Sequence, residues 1–544
     1  MNGLMMEQQL LVSSILRHAE RHHARQEIVS ARVEGDIHRY TYADMAVRAR
    51  QLANTLDDLD LDAGARVATL AWNGYRHLEL YFAASGSGRV LHTVNPRLHP
   101  DQIAWIIDDA ADGALFFEAS FLPLVAQIAS SLTTVRHFVL LADSVPDSPE
   151  AAAIPGLVAY EPLVAAASST YDWPDFDEHR AAALCYTSGT TGNPKGALYS
   201  HRSTLLHCYA VAMPDAMGFS AREVVLPIVP MFHVNAWGMP YAAAIVGAKL
   251  VLPGPDLSGP ALHELQEAEG VTFSASVPTV WAGQLEHLRK LGTSPSTLRR
   301  AVVGGAACPP AMLRELRDVH GLEVVHGWGM TETSPFGTAG VLKAHHADLD
   351  PADREAVQLR QGRVVFGIDL KIVDDEGVEQ PWDGVTSGHL MARGHWVLAE
   401  YYNRRDLEPL VDGWFPTGDI ASIDADGFMM ITDRSKDVIK SGGEWISSVQ
   451  IEGLAMSHPD IDLAACIGVP HPKWDERPVL VVTRAPGVSL DEDGLRKHLV
   501  GEIPSWWMPD RIVFVDEIPI GATGKIVKTS LREEYADLLV AAGA

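Results

Sequence analysis

The residues between Tyr186 and Gly196 are of the types that grip an anion. Thr187, Ser188, Thr190, Thr191 and Asn193 offer hydroxyl or amide groups, Gly189, Gly192 and Gly196 loosen the backbone, and Lys195 adds a charge. Glycines permit positive φ and let N–H groups come close to phosphate oxygens. Pro194 stands where a Walker A loop needs Gly before its Lys, so that motif is excluded. Taken alone, such a loop is more often an ordinary surface connection. It has companions in a set order. His326-Gly327-Trp328-Gly329-Met330-Thr331-Glu332-Thr333 places an aromatic between glycines, then a hydroxyl and a carboxylate. Trp328 suits stacking on a purine, and Glu332 suits Mg²⁺, which prefers oxygen ligands. Gly413-Trp414-Phe415-Pro416-Thr417-Gly418-Asp419 fixes a carboxylate in a turn, as a pair of ribose hydroxyls requires. The charged run Asp433-Arg434-Ser435-Lys436-Asp437 continues to Glu444, and Pro519-Ile520-Gly521-Ala522-Thr523-Gly524-Lys525 lies near the end.

These five motifs, in this order, resemble the adenylate-forming superfamily of acyl-CoA synthetases, firefly-type luciferases and peptide-synthetase adenylation domains. The resemblance covers nearly the whole chain. Pro230-Met231-Phe232-His233-Val234-Asn235-Ala236-Trp237, Lys440-Ser441-Gly442-Gly443-Glu444-Trp445-Ile446-Ser447 and the run Pro470 to Pro478 look most like bacterial medium- and long-chain fatty acyl-CoA ligases. The resemblance implies a two-step ligase using ATP, Mg²⁺ and CoA: a carboxylic acid and ATP give acyl-AMP and pyrophosphate, and CoA then displaces AMP. It implies that Lys525 sits between the carboxylate and the α-phosphate, that Thr187 and Glu332 hold Mg²⁺, and that Lys195 assists the leaving pyrophosphate beside Ser188, Gly189, Thr190, Thr191 and Gly192. Gly305, His326, Gly327, Trp328 and Thr331 fall around the nucleotide, with Asp419 and Arg434 on the ribose. Lys436, Lys440 and Trp445 close from the C-terminal side, and Ser441-Gly442-Gly443 line a pantetheine tunnel. His233, Val234, Trp237, Gly329 and Met330 fall at the acyl pocket, although His233 reads equally as a satisfied half-buried side chain and Trp237 as core. The sequence departs from the pattern at Trp328, where many relatives carry Tyr, and at Ile520-Gly521, which replaces a basic-Thr pair.

These residues need a scaffold to hold them. Leu10 to His23 reads as an amphipathic helix, and a Thr-x-x-Asp start at Thr41 introduces a second from Ala43 to Leu56. Short apolar runs such as Arg66–Leu70, Ala114–Phe117 and His137–Leu141 alternate with helical patterns, which implies parallel sheets built from βαβ units. Asp143 to Asp177 reads as a linker, and Val364 to Ile431 as a β-rich module. The expected fold is α/β: a large N-terminal domain (1–432) of βαβ-built sheets with a β-rich subdomain, a hinge at 433–437 centred on Asp433, and a small mobile α+β C-terminal lid (438–544).

The bulk numbers narrow the function. With 47% hydrophobic and 21% charged residues the chain has a globular balance, so disorder is excluded. A net charge of −27 argues against a nucleic-acid partner. The four cysteines are far apart, which speaks against a zinc site or a disulfide framework. With no signal peptide or membrane span legible, the expectation is a cytoplasmic protein, and the family resemblance suggests a homodimer. The stretch from His233 to Trp237 holds no carboxylate for a substrate ammonium, so an uncharged acyl tail is expected over an amino acid. The preferred acid is a medium- or long-chain fatty acid. The alternatives are a short, branched or thioether acid, and an acyl-AMP ligase loading a carrier protein.

Overall fold

The computed structural model describes residues 1, 3–187, 193–442, 444–485, 487–520 and 526–539. They form two compact units: Met1–Asp369 with Arg393–Phe415, and Leu370–Ala392 with Pro416–Ala544.

The first unit is built on two sheets whose strands alternate with helices. The seven-stranded sheet runs, in space, Val158–Ala159, His137–Leu140, Asp112–Phe117, Arg66–Leu70, Val90–Thr93, Ala181–Tyr186 and Gly196–Ser200. Every pairing is parallel except the last. The nine-stranded sheet has a parallel centre from Glu323–Gly329 through Arg300–Val303, Phe273–Ser276, Val224–Pro227 and Lys249–Leu252 to Glu27–Ala31, with antiparallel strands at both edges. Strands covered on both faces must be apolar along their length, and Ala182 to Tyr186 is buried residue after residue. The expected helices form with small shifts. Val12–His22 buries Val12, Ile15, Leu16 and Ala19, one stripe of a 3.6-residue period. Tyr42–Asp58 begins with a capping box in which Thr41 and Asp44 satisfy each other's backbone N–H.

The expected linker is more than a linker. Within 143–177 the chain forms helices Pro149–Ala152 and Tyr160–Ala166 and adds the edge strand Val158–Ala159. Its apolar residues Ile154, Tyr160 and Val164 are buried, a pattern that the Ala, Ser and Pro content hides. Two of its acids, Asp143 and Glu161, join a partly buried ion network. Arg48 pairs with Glu79 at 2.6 Å and Glu161 at 3.0 Å, and Arg76 with Glu161, Glu34 and Asp143 at 2.8, 2.7 and 2.6 Å.

The second unit carries a four-stranded sheet (Ile368–Val373, Ser387–Gly394, Phe415–Ile423, Met429–Arg434) and a five-stranded sheet with helices Ser448–Met456, Glu492–Leu499 and Lys528–Glu534. Large sheet domain and smaller β-rich domain match the α/β expectation. Of the β-rich stretch, residues 370–392 and 416–431 group with the C-terminal residues and 393–415 with the first unit, whereas the expected boundary at 433–437 placed all of it in 1–432. That division followed charge along the chain, whereas packing follows the apolar faces of the strands.

One buried acid in the first unit has a measurable consequence. Glu118 follows strand Asp112–Phe117 and lies beside Gly74, the N-cap of helix Tyr75–Gly86, where an added Cβ would stand 3.4 Å from its Oε1. Its Oε2 has no hydrogen-bond partner among the described residues. Burial pushes the carboxyl up from its ordinary 4.5 to about 8, opposed by a hydrogen bond from the Trp72 backbone. A carboxyl with a raised folded pKa holds its proton more tightly when folded, so stability falls as pH rises from 4.5 to about 8. Glu118→Gln should melt close to the parent at pH 5 and above it at pH 9. A melting difference independent of pH would contradict this.

Candidate active site

In the first unit the anion loop is a hairpin connection. Strands Ala181–Tyr186 and Gly196–Ser200 are antiparallel, and the Thr187 N–H donates to the Lys195 carbonyl at 2.8 Å. The Lys195 N–H reaches Thr187 Oγ1 at 3.4 Å. The hairpin therefore fixes both ends of the loop. Ser188, Gly189, Thr190, Thr191 and Gly192 lie outside the described residues. The ammonium of Lys195 stands over the ring of Tyr401, 5.0 Å from its centroid.

The second motif ends the central strand Glu323–Gly329 of the nine-stranded sheet. His326 is buried and both ring nitrogens are used: Nε2 accepts from the Cys308 N–H at 3.2 Å, and Nδ1 therefore donates to the Leu359 carbonyl at 3.0 Å. Burial lowers its pKa to about 4, so it is neutral at pH 7. Its imidazole holds the scaffold together, and a ligand at this position meets backbone. Gly327 also lies on this strand, facing Ala339 across the pairing. Trp328 is almost buried and lies against Gly337, where a Cβ would stand 2.5 Å from the indole. Gly329 cannot be replaced: a Cβ there would fall 1.8 Å from the Pro335 carbonyl oxygen. The Met330 N–H donates to Thr333 Oγ1, and the Thr331 carbonyl accepts from the Tyr199 hydroxyl at 2.7 Å. Glu332 is buried, with Oε1 accepting from the Tyr401 hydroxyl at 2.7 Å and its carbonyl from the Leu398 N–H at 2.7 Å.

The acyl-pocket candidates occupy an unusual turn. Val234, Asn235, Ala236 and Trp237 have φ of 41°, 52°, 47° and 56°, and Gly238 continues at 73°. A left-handed run costs about 1–2 kcal/mol per non-glycine residue, so the surroundings must hold it. Cys185 donates to Asn235 Oδ1 at 3.4 Å, Cys208 to the Gly238 carbonyl at 3.7 Å, and His207 packs so closely that a Cβ at Gly238 would stand 2.7 Å away. Asn73 supports the approach to the turn, bonding the Pro227 and Val229 carbonyls and the Met231 N–H. The turn lays Trp237 against Gly304, where a Cβ would meet the indole at 2.7 Å and the Gly327 carbonyl at 3.3 Å. His233 immediately precedes the turn, and Gly305, next to Gly304, has φ +79°. The acyl-pocket turn and the Gly304–Gly305 and Gly327–Glu332 segments thus meet in the first unit.

In the second unit, Asp419 is buried and pairs with Arg434 Nε at 2.8 Å across adjacent strands. The Asp433 carboxylate accepts from the Ser448 N–H at 2.5 Å, the Ser448 hydroxyl at 3.0 Å and the Arg434 N–H at 2.7 Å. Burial lowers the pKa of Lys436. Lys440 lies 3.7 Å from Asp375 and 5.6 Å from the Trp445 ring centroid. Ser441 Oγ accepts from Arg477 at 3.2 Å, and Gly442, at φ +61°, is covered by Trp474. Gly443 and Lys525 lie outside the described residues.

Sequence reasoning missed two groups. Tyr401 was invisible because it is distant in sequence from both Lys195 and Glu332. Lys528, three residues beyond Lys525, is mostly buried and bonds Glu452 and the Ser448 hydroxyl, each at 2.7 Å.

The chain matches the AMP-binding enzyme family over residues 15–402 and the AMP-binding enzyme C-terminal domain over residues 450–525. It is 52% identical over 539 residues to the 3-methylmercaptopropionyl-CoA ligase of Ruegeria lacuscaerulensis, covering 99% of this chain and 100% of the relative. It is 50% identical over 540 residues to the medium-chain-fatty-acid–CoA ligase of Ectopseudomonas oleovorans, covering 99% and 98%. The crystal structure of ATP-bound MatB from Rhodopseudomonas palustris superposes with a TM-score of 0.81 at 26% identity, over 97% of this chain and 100% of that one. The protein belongs to the AMP-binding enzyme family.

The Lys528 cluster yields a stability prediction. Lys528→Met leaves Glu452 and Asp433 buried without their cation, which should cost about 3–5 kcal/mol. Calorimetry should show the loss, and Lys528→Met with Glu452→Gln should recover part of it. A single variant that melts like the parent would refute the assignment.

Proposed function

We propose that the protein is an AMP-forming acid–CoA ligase acting on an uncharged acyl chain. The observation that carries the reading is the convergence in one unit of Lys195, Thr187 and Glu332 with the glycine-lined segments at Gly304–Gly305 and Gly327–Met330. In the first step a carboxylate oxygen of the acid bonds to the α-phosphorus of ATP, and the bond from that phosphorus to the bridging oxygen breaks, releasing pyrophosphate. In the second the CoA thiol, losing its proton, attacks the acyl carbonyl and expels AMP. Both steps bring anions or a leaving anion into one place, so the enzyme's work is positioning and charge neutralisation.

In this reading Lys195 and the hairpin loop hold the phosphates, and the backbone from His326 to Trp328 borders the adenine. Asp419 and Arg434 hold the ribose, and Lys525 neutralises the carboxylate and α-phosphate together. Thr187 and Glu332 fit Mg²⁺: both offer oxygen, and Tyr401 engages only one oxygen of Glu332. When bound, Mg²⁺ supplies charge neutralisation on the polyphosphate. Asp433 serves as the hinge about which 438–544 reorients between the steps, bringing Lys440, Ser441, Gly442, Gly443 and Trp445 to the pantetheine arm. No helix among the described residues is long and apolar enough to cross a membrane. We place the enzyme in the cytoplasm as a homodimer, a state that light scattering reads directly.

The acid is a medium-chain fatty acid in the first reading. A second reading, a short thioether acid of the methylthiopropionate type, is favoured by the 52% identity to the 3-methylmercaptopropionyl-CoA ligase. Pyrophosphate release measured across straight-chain acids and 3-methylthiopropionate separates them. An optimum at medium length supports the first reading, and a sharp optimum at the thioether acid supports the second.

Lys525→Ala should lower adenylation by at least about 100-fold, as expected when a group that stabilises transition-state charge is removed. Thioester formation from supplied acyl-AMP should survive within about tenfold. Equal loss in both half-reactions would contradict the role given to Lys525, and acyl-AMP that CoA never consumes would contradict the ligase reading.

A further inference from the structure

Residues 398–402 are tied alternately to the two motifs that carry the polyphosphate chemistry. The Leu398 N–H donates to the Glu332 carbonyl at 2.7 Å. The Tyr401 hydroxyl donates to Glu332 Oε1 at 2.7 Å, while the ring of the same residue lies under the Lys195 ammonium at 5.0 Å. The Tyr402 N–H then donates to the Gly196 carbonyl at 2.8 Å, the residue directly after Lys195. The far end of the strap is moored separately: the Tyr402 hydroxyl reaches the Ala110 carbonyl at 3.3 Å, and the Asn403 amide the Asp109 carbonyl at 2.9 Å.

We propose that Tyr401 is a positioning residue that holds Lys195 and Glu332 apart yet aimed at one polyphosphate, each with its charge unspent. The proposal rests on the reading of this site as one for ATP and a divalent cation. An ammonium and a carboxylate that both contact one tyrosine attract each other, most strongly where solvent is scarce. A direct pair would remove the cation from the phosphates and the carboxylate from the metal. Tyr401 satisfies both partners with neutral interactions, a ring face for the cation and a hydroxyl for the anion. Each contact orients its partner without neutralising it, as an outer-sphere hydrogen bond orients a metal ligand.

Tyr401→Phe keeps the ring and removes the hydroxyl, and Tyr401→Leu removes both. The probe is Mn²⁺, followed by electron paramagnetic resonance in the complex with an ATP analogue whose α,β-bridge cannot be cleaved. Tyr401→Phe should weaken Mn²⁺ binding by about 10-fold, the usual scale for an outer-sphere partner, with the KM for the acid unchanged. Tyr401→Leu should also raise the KM for ATP. In a Glu332→Gln background the further effect of Tyr401→Phe on Mn²⁺ should vanish, which a merely structural tyrosine would not show. Parent-like Mn²⁺ binding by Tyr401→Phe overturns the proposal alone. So do losses that follow melting temperature and remain in the Glu332→Gln background. A parent protein that binds no metal–nucleotide complex overturns the reading of the site, and the proposal with it.

Discussion

Like-charge repulsion is the constraint that the rest of this structure answers. ATP and a carboxylate must meet in a chain whose own net charge is −27. Two unit charges 4 Å apart interact by about 4 kcal/mol near a protein surface, so cations must be placed locally and kept from the protein's own acids. The arginines of the first unit are largely committed elsewhere: Arg48 and Arg76 to the partly buried network, Arg89 to Asp57, Arg50 to Glu20. Lys195 is treated differently, resting on an aromatic face. These arginines are paired with acids, whereas the Lys195 ammonium lies over a ring, as the phosphate role proposed for it requires.

The sheets explain how such groups reach one place. In parallel α/β sheets, binding loops gather beyond the carboxyl ends of the strands. Ala181–Tyr186, Arg300–Val303 and Glu323–Gly329 each end in a candidate loop, and all are central, buried strands. Close approach of their ends demands the absence of side chains, which is why Gly329 and Gly304 stand where a Cβ would strike Pro335 or Trp237. The strained turn at Val234 is held by residues of this framework. Cys185 lies two positions before Thr187, so its bond to Asn235 links the acyl-pocket turn to the base of the anion hairpin.

What the sequence disclosed, and what it hid, divides along chain distance. The helix at Tyr42, its capping box, and most strand positions were legible because their signals lie within one window of neighbours. Gly305 and Gly442, expected at close approaches to a ligand, do stand at positive φ, a backbone preference that glycine itself signals. Tyr401 was not: its two partners are far away in sequence, and a Tyr-Tyr-Asn run carries no local mark of either. The left-handed turn was hidden because neither Val234 nor Trp237 favours positive φ, and only tertiary contacts impose it. Residues 143–177 misled for a related reason, since their small and polar residues mask the few apolar ones that anchor them. His326 was expected around a nucleotide, and both nitrogens of its imidazole are occupied by the scaffold.

The surroundings of Asp433 bear on how a hinge there can work. Its carboxylate is held by Ser448 and the Arg434 N–H, and Ser448 is held in turn by Lys528, which also binds Glu452. The preceding carbonyl, of Thr432, accepts from the Ser447 hydroxyl. The start of helix Ser448–Met456 thus grips the chain on both sides of the peptide joining 432 and 433, and the helix packs on strand Met429–Arg434. Torsion about Asp433 cannot leave both grips intact. The carboxylate side is the stronger, since it combines charge-assisted bonds with an enclosed lysine. In the hinge proposed here, the Thr432–Ser447 bond, neutral and singly made, is the weaker of the two grips. Rotation would then carry the Asp433 carboxylate, Ser448 and Lys528 together as one piece, so the segment after Lys525 turns with the helix and not against it.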